Sequence, residues 1–387
     1  MTVTISGTMP LGLDLLNIFE SSGIRKTDLT VKADVSRSFV DRLFRGKESR
    51  FDLVLSIIRV LGADENKMIR QYCEEIEQAY NFIYAMEYAD RRNDMALLER
   101  LFDRSGSKNH ADLGEMREIY TLSLRRKKDG STKNLEEVLF KLKCLEPVSP
   151  LAKSLQKFME IQVHHSLHHF NQVNEKLKRI NVSKIEDEFF YNSFKWRLNQ
   201  VKQSISLDYF GNLIESRELA FELIKNSDSK YFHAYSYGNI GLSYSYENDD
   251  KAISYLNESQ KLYKEVGIEN DIWNETIEFI RIMWGQPIEL EKIKSVQNLA
   301  FKLIKCGKYS HALQIIDKLD SEEGKSPLRL YLRGLATQEA DYHWQSLEMY
   351  IKVRGDRLFA ILPRNELIHL KENRIGVDAL YNLNVSR

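Results

Sequence analysis

The chain contains few of the residues that stabilise disulfide-rich or zinc-bound folds. Its 387 residues include three cysteines, Cys73, Cys144 and Cys306, which are far apart and lack CxxC spacing, so neither a disulfide framework nor a zinc site is indicated. Six prolines and scarce strand-like alternation leave long amphipathic runs, which predict helices almost throughout. The 56 basic and 56 acidic residues cancel, which excludes a chain that is basic or acidic over its whole length.

Other absences limit the location and the chemistry of the protein. No apolar run approaches the roughly 18 residues that a membrane-spanning helix needs. Nothing near the N-terminus is typical of a signal peptide, so we expect a cytoplasmic protein with no membrane partner. The sequence also lacks GxxxxGK[ST], GxSxG and HExxH motifs and paired catalytic carboxylates in a recognisable context. These absences favour a binding protein over an enzyme, and no cofactor is expected.

Residues 25–50 have the pattern of a helix-turn-helix. Asp34 lies at the turn, where aspartate tolerates a positive φ, and Ser36 is a suitable N-cap for the second helix. The segment resembles the Cro/C1-type helix-turn-helix of phage and bacterial repressors. Segments 12–23 and 51–62 are typical of the flanking helices, each ending at a glycine. The predicted buried stripe consists of Leu29, Ala33, Val35, Val40 and Leu43.

The charge of this segment differs from that of the whole chain. Residues 25–50 hold eight basic and four acidic side chains, and such a local excess predicts binding to duplex DNA. We expect bases to be read by Arg37, Ser38, Asp41 and Arg42, and phosphates to be contacted by Lys26, Arg45, Lys47 and Arg50. The alternative is a helical domain used only for protein contacts.

The rest of the sequence has the periodicity of helix-pair repeats. Residues 233–256 are spaced like a tetratricopeptide unit, with Gly241 and Ala252 where two helices cross. Similar patterns, several of them degenerate, occupy 71–103, 113–143, 150–178, 188–225, 265–285, 308–319 and 328–352. Helix pairs of this kind stack because one pair alone leaves its apolar face uncovered. The sequence therefore predicts an all-α fold with a helix-turn-helix domain at 1–65, a right-handed TPR-like α-solenoid at 66–363 and a capping or dimerisation segment at 364–387.

Two groups of polar residues have more than one interpretation. The pairs His164/His168 and His165/His169 have the spacing of metal ligands on one helix face. No carboxylate or cysteine nearby in sequence completes such a site, so packing is favoured and no metal is expected. Polar residues on the inner helices are either ordinary solvated side chains or donors to an extended peptide backbone; they include Asn199, Asn239, Gln297 and Asn298.

A helix-turn-helix joined to degenerate repeats is the layout of the RRNPP quorum-sensing regulators, and within that group the chain resembles the arbitrium receptor family, AimR, of SPbeta-group phages. The resemblance rests on R-Q-Y-C-E-E-I-E at 70–77, A-M-E-Y-A-D at 85–90, D-K-L-D at 317–320, Y-L-R-G at 331–334 and G-D-R-L-F-A-I-L-P at 355–363. It implies a homodimeric activator of a phage lysis–lysogeny gene that acts in the infected or lysogenic host. It also implies that a secreted, re-imported hexapeptide turns that activation off.

The same resemblance implies a peptide site in the repeat groove. The family's groove aspartate falls on Asp356, and its groove arginine falls near Lys230 or Tyr231, of which Lys230 keeps the charge that a peptide carboxylate requires. An asparagine pair of the family is replaced here by serine and aspartate, which suggests a peptide of different sequence. The implied peptide-binding residues are Ser204, Asp208, Lys230, Asn239, Gln297, Asn298 and Asp356.

The protein is expected to form a homodimer, and two alternative functions are considered with it. One helix-turn-helix covers little DNA, so paired half-sites read by a homodimer are expected. The terminal segment 374–383 is predicted to cap the last repeat and to contribute a dimer contact through Ile375, Val377, Leu380 and Leu383. A host or plasmid RRNPP transcription factor is one alternative, because it would also bind DNA under the control of a peptide. A Rap-like protein-interaction module would begin with a helical bundle, and segment 25–50 argues against it.

Overall fold

The computed structural model of the chain describes residues 9–268 and 272–383. Across these two stretches the regular structure is helical and no β-strand occurs, which confirms the all-α prediction. The backbone forms two compact units. The first extends to Met159 and includes Val182–Ser193, and the second comprises Glu160–Asn181 together with the chain from Phe194 onward.

The helices of the first unit follow one another along the chain with short connections. They are α1 (Pro10–Ser22), α2 (Lys26–Ala33), α3 (Arg37–Phe44), α4 (Phe51–Val60), α5 (Glu65–Glu75), α6 (Ala79–Arg91), α7 (Met95–Ser105), α8 (Ala111–Lys128) and α9 (Thr132–Cys144). Two further helices, α10 (Pro150–Ser166) and α12 (Glu188–Ser204), contribute residues to both units. A short 3-10 turn, Val182–Lys184, precedes α12.

The second unit continues the succession of helices and interrupts it with two π-helical turns, Ile205–Tyr209 and Met349–Arg354, and one 3-10 turn, Leu290–Lys292. Its helices are α11 (Phe170–Arg179), α13 (Leu213–Asn226), α14 (Lys230–Tyr244), α15 (Asp249–Glu265), α16 (Ile272–Met283), α17 (Val296–Lys305), α18 (Tyr309–Glu323), α19 (Pro327–Thr337), α20 (Ala340–Glu348), α21 (Arg357–His369) and α22 (Arg374–Tyr381).

Helices α2 and α3 form the predicted helix-turn-helix. Asp34 ends α2 with a φ of 52°, and the Ser36 hydroxyl caps α3 by accepting the Phe39 N–H at 3.2 Å. Helix α1 crosses α3 at Gly12, where a Cβ atom would lie 2.1 Å from the Leu43 carbonyl oxygen, so only glycine fits. Four residues of the predicted stripe are buried, but Val35 is only half-buried because it lies in the turn.

The helix-turn-helix continues into the helices that follow it. The Glu48 carboxylate accepts the backbone N–H groups of Glu77 at 3.1 Å and Gln78 at 2.9 Å, and the side-chain amide of Asn81 at 2.9 Å. Such bonds hold the loop after α3 against the start of α6. These bonds cross the predicted boundary at residue 65, which coincides with the first residue of α5.

Close helix crossings in the second unit occur at the small residues that the repeat pattern singled out. Ala252 and Ala312 are completely buried, as is Ser346. A Cβ atom at Gly241 would lie 2.7 Å from the Leu256 side chain, so α14 and α15 approach as closely as the pattern predicts. From α13 onward, each helix packs against the next helix in sequence, which is the packing of a helical repeat protein.

The C-terminal segment does not begin at a linker. Residue 364, the first of the predicted terminal segment, lies inside α21, which continues past Pro363 to His369. Val377 of α22 is fully buried and Leu380 packs beside it, whereas Ile375 is 82% exposed and Leu383 is 41% exposed. The predicted apolar stripe thus divides into a capping pair and an exposed pair.

We find no helix of sufficient length and apolarity to cross a membrane when residues 9–268 and 272–383 are searched.

Candidate binding sites

The outer face of α3 and the loop after it carry exposed cations. Arg37, Arg42, Arg45 and Lys47 are exposed, and none of them forms an ion pair with the described part of the chain. The Arg42 guanidinium lies 6.0 Å from the centre of the Phe39 ring, which supports it from the buried side of the helix. Unpaired cations around a helix that can enter the major groove are suited to phosphate and base-edge contacts.

The other predicted DNA-binding residues already have protein partners. Lys26 and Asp41 form an ion pair across the two helices, and the bond to Lys26 holds the pKa of the Asp41 carboxyl below its usual value. The Arg50 guanidinium binds Asp52, with Nε 2.6 Å from Oδ1. Ser38 is exposed, 3.0 Å from the Ser36 hydroxyl. A DNA contact by Lys26, Asp41 or Arg50 therefore competes with an existing bond.

A cavity of about 430 Å³ in the second unit brings together two residues of the predicted peptide site, Gln297 and Asp356. Both polar and apolar side chains surround it, so it can hold a ligand that has groups of both kinds. Its lining consists of Gln297, Glu323, Lys325, Ser326, Leu328, Arg329, Tyr350, Arg354, Asp356 and Phe359.

The two π-helical turns position a pair of carboxyl groups. Asp208 lies in the turn Ile205–Tyr209, and Asp356 follows the turn Met349–Arg354 after Gly355, whose φ is 67°. Arg357, the residue after Asp356, connects these regions. Its guanidinium donates to the carbonyl oxygens of Tyr209, Tyr381 (3.2 Å) and Leu383 (3.0 Å). π-Helical turns inside helices often mark functional sites.

The two carboxyl groups lie in an environment that disfavours their charge. Asp356 caps α21 by accepting the Phe359 N–H at 2.9 Å. Burial nevertheless raises the pKa of Asp356 to about 6. Burial, and then the neighbouring charge of Asp356, raises the pKa of Asp208 well above its usual value. Neither carboxyl has a salt bridge to a described residue, so a bound cation would relieve the unfavourable charge of both.

Ser204 and Asn239 meet in a buried polar cluster. The Asn239 side chain donates to the Ser204 hydroxyl at 3.4 Å, and Tyr235 bonds to the same hydroxyl. Tyr231, one helical turn before Tyr235, lies on the same face of α14. Lys230 instead forms an ion pair with Glu265 at 2.6 Å. The positive charge expected to hold a peptide carboxylate is therefore already paired.

Asn298 has a structural role that sequence reasoning missed. It is buried, and its side-chain nitrogen donates to the Glu275 carbonyl oxygen at 2.8 Å and to the Glu278 carboxylate at 3.3 Å. These two bonds join α16 to α17 and use both amide hydrogens. Donation by this amide to a peptide backbone would therefore compete with these two bonds, whereas Gln297 lines the cavity.

The histidine cluster packs within the second unit. The Nδ1 atoms of His164 and His169 are 3.3 Å apart, and the rings of His165 and His168 lie 5.9 and 5.6 Å from the ring centre of Phe170. Burial lowers the pKa of His168, which favours the neutral ring. Among the residues described, no three histidine, cysteine, aspartate or glutamate side chains are placed to hold a metal ion.

Comparisons with known proteins agree with this architecture. Residues 65–369 match the sequence profile of a family described as AimR transcriptional regulator-like. A relative from Bacillus phage phi3T, an AimR transcriptional regulator, is 22% identical over 335 residues, which cover 84% of this chain and 86% of the relative.

Two solved structures are similar in fold to most of the chain. The structure of selenomethionine-labelled phAimR has a TM-score of 0.72 and 19% identity, and the match covers 96% of this chain and 100% of that one. The structure of phAimR with a ligand has a TM-score of 0.69 and 20% identity, and covers 84% and 98% of the two chains.

Proposed function

The chain belongs to the AimR transcriptional regulator-like family, a family of regulators and not of enzymes, and on this basis we propose that a short peptide controls its binding to DNA. A homodimer reads paired half-sites and activates a gene of the phage lysis–lysogeny decision. A hexapeptide in the cavity of the second unit ends that activation. The solved structure of the relative phAimR with a ligand supports a ligand-controlled regulator.

The observation that carries this proposal is the presence of two unpaired sets of charges in one chain. Four cations around α3 lack ion pairs and suit DNA, whereas Asp208 and Asp356 form no salt bridge with a described residue and suit a basic peptide group. Buried or crowded charges normally find a partner within the protein. A basic ligand group would therefore stabilise the charge of the Asp208 and Asp356 carboxyls, whereas the α3 cations are exposed and accessible to a polyanion.

The first experiment is a search for the peptide. Purified full-length protein is incubated with a synthetic pool of hexapeptides, and retained peptides are identified by mass spectrometry. We expect one or a few related sequences with a basic residue, which bind with a Kd of about 1 µM or lower in calorimetry. Retention of no peptide would contradict the proposed function.

Dimerisation through the C-terminal helix gives a second prediction. The exposed Ile375 of α22 is the apolar side chain available for a partner molecule, since Val377 is buried within its own unit. Ile375→Asp should convert the dimer to a monomer in analytical ultracentrifugation at micromolar concentration, because a charge would be buried at the interface. Ile214→Asp is the matched control, since Ile214 is also exposed, at 67%. A dimer that survives the Ile375 change but not the Ile214 change would place the interface elsewhere.

The raised pKa of Asp356 predicts that peptide binding depends on pH. The charged groups facing this carboxyl are Asp208 and Arg354. A basic peptide group binds the deprotonated carboxylate, so protons compete with the peptide below the Asp356 pKa of about 6. Calorimetry should show affinity that increases as the pH rises from 5 to 7, with proton release on binding. Asp356→Asn should remove most of this dependence, and an affinity independent of pH in the parent protein would contradict the assignment.

A further inference from the structure

We propose that Arg354, together with Lys325 in the wall of the same cavity, binds the terminal carboxylate of the peptide. The inference depends on the peptide-binding function proposed above. It assigns the side chains that bind the peptide carboxylate, a role that was expected for Lys230.

The cations that line the cavity differ in whether they already have an ion-pair partner. Three cationic side chains line the cavity, namely Lys325, Arg329 and Arg354. Arg329 is buried and its guanidinium binds Asp320 and Glu323, each at 2.8 Å. Arg354 and Lys325 are exposed to the cavity and form no ion pair with a described residue. Both cations are therefore accessible to an anion, and Arg354 also acts on the neighbouring Asp356 carboxyl, whose pKa it lowers.

Arg354 lies close in sequence to Asp356, at the end of an irregular turn. It is the last residue of the π-helical turn Met349–Arg354, and Gly355 then turns the chain toward Asp356. The irregular turn places a guanidinium and a carboxyl two residues apart on the wall of one cavity. A guanidinium also matches a carboxylate geometrically, because two parallel N–H groups can bind the two oxygens.

The charges in the cavity suit a ligand that carries both an acidic and a basic group. Glu323 is already paired with Arg329, so the charges that remain for a ligand are those of Asp356, Lys325 and Arg354. A ligand with one carboxylate and one basic group finds a partner for each charge. Leu328, Tyr350 and Phe359 supply apolar wall between the charged groups. At about 430 Å³ the cavity has the size of a small-ligand site, and thus accommodates the end of a peptide.

The experiment combines a change in the protein with a change in the peptide. The hexapeptide retained from the synthetic pool is prepared with a free carboxylate and as its C-terminal amide. Both forms are titrated by calorimetry into the full-length parent protein, Arg354→Gln, Lys230→Gln and Lys352→Gln. Lys352 is a matched control because it lies on the same turn, is exposed, and binds Glu348 at 2.6 Å.

Amidation should weaken binding to the parent protein by about 10- to 100-fold, the effect of losing a charged hydrogen-bond pair. The same penalty should persist in Lys230→Gln and Lys352→Gln. In Arg354→Gln the penalty should be reduced by about threefold or more, because the carboxylate then keeps only Lys325 as a partner. Circular dichroism melting of each variant shows whether its fold is retained.

The contradicting outcomes are separate for the two proposals. A parent protein that binds neither peptide form overturns the peptide-binding function itself. A parent protein that binds the acid and the amide equally overturns only the assignment of a carboxylate site. A penalty that vanishes in Lys230→Gln but persists in Arg354→Gln would return the carboxylate to Lys230.

Discussion

Replacing Arg37 and Arg42 together by alanine is expected to weaken binding to the operator by about 30- to 10⁴-fold. Both side chains are exposed on α3 and carry no ion pair to the described residues, so their charges are available to DNA. An arginine that binds a guanine edge contributes about 1–3 kcal/mol of discrimination. The loss should therefore be larger for the operator than for unrelated duplexes.

Fluorescence anisotropy measures this effect, with a duplex that the parent protein selects from a random-sequence pool. The matched control is Arg100→Ala combined with Arg179→Ala, which removes the same charge from exposed sites outside the helix-turn-helix. The control should retain nearly the parent affinity and its salt dependence. A folded Arg37/Arg42 variant that binds the operator as tightly as the parent would show that α3 does not read it.

Asp356→Asn is expected to weaken binding of a peptide with a basic residue by about 10- to 150-fold. Asparagine can still cap α21, so the fold should be preserved while the negative charge is lost. A partly buried, charge-assisted hydrogen bond contributes about 1.5–3 kcal/mol. Calorimetry with the peptide retained from the hexapeptide pool measures the change.

Asp378→Asn serves as the control for this prediction. Asp378 lies in the same unit and forms a surface ion pair with Arg364 at 2.8 Å, away from the residues that line the cavity. Its replacement should leave peptide affinity nearly unchanged. Tight binding that persists in Asp356→Asn would place the basic group of the peptide at another acidic residue.

Local signals in the sequence were sufficient to predict the helix-turn-helix and the crossings of helix pairs. Asp34 adopts the positive φ expected for its turn, and Ser36 makes the expected cap. Ala252 and Ala312 are buried where helices cross, because only small side chains allow that approach. Each of these features depends on residues close together in sequence.

Features that depend on distant residues were not predictable in the same way. Glu48 joins the helix-turn-helix to α6 across 33 residues, a contact that crosses the expected boundary at residue 65. Arg357 contacts Tyr209 across 148 residues and brings the regions of Asp208 and Asp356 together. The side chains of Asn298 and Lys230 also bind partners on neighbouring helices: Asn298 binds Glu278, and Lys230 binds Glu265.

The most direct test of the account measures the affinity for DNA with and without the peptide. The full-length protein is titrated with its selected duplex, alone and at a saturating concentration of the retained hexapeptide. Coupling of about 1–3 kcal/mol should lower DNA affinity by about 5- to 150-fold, and DNA should lower peptide affinity by the same factor. Equal DNA affinity in both titrations, with peptide demonstrably bound, would contradict the claim that the peptide controls this regulator's binding to DNA.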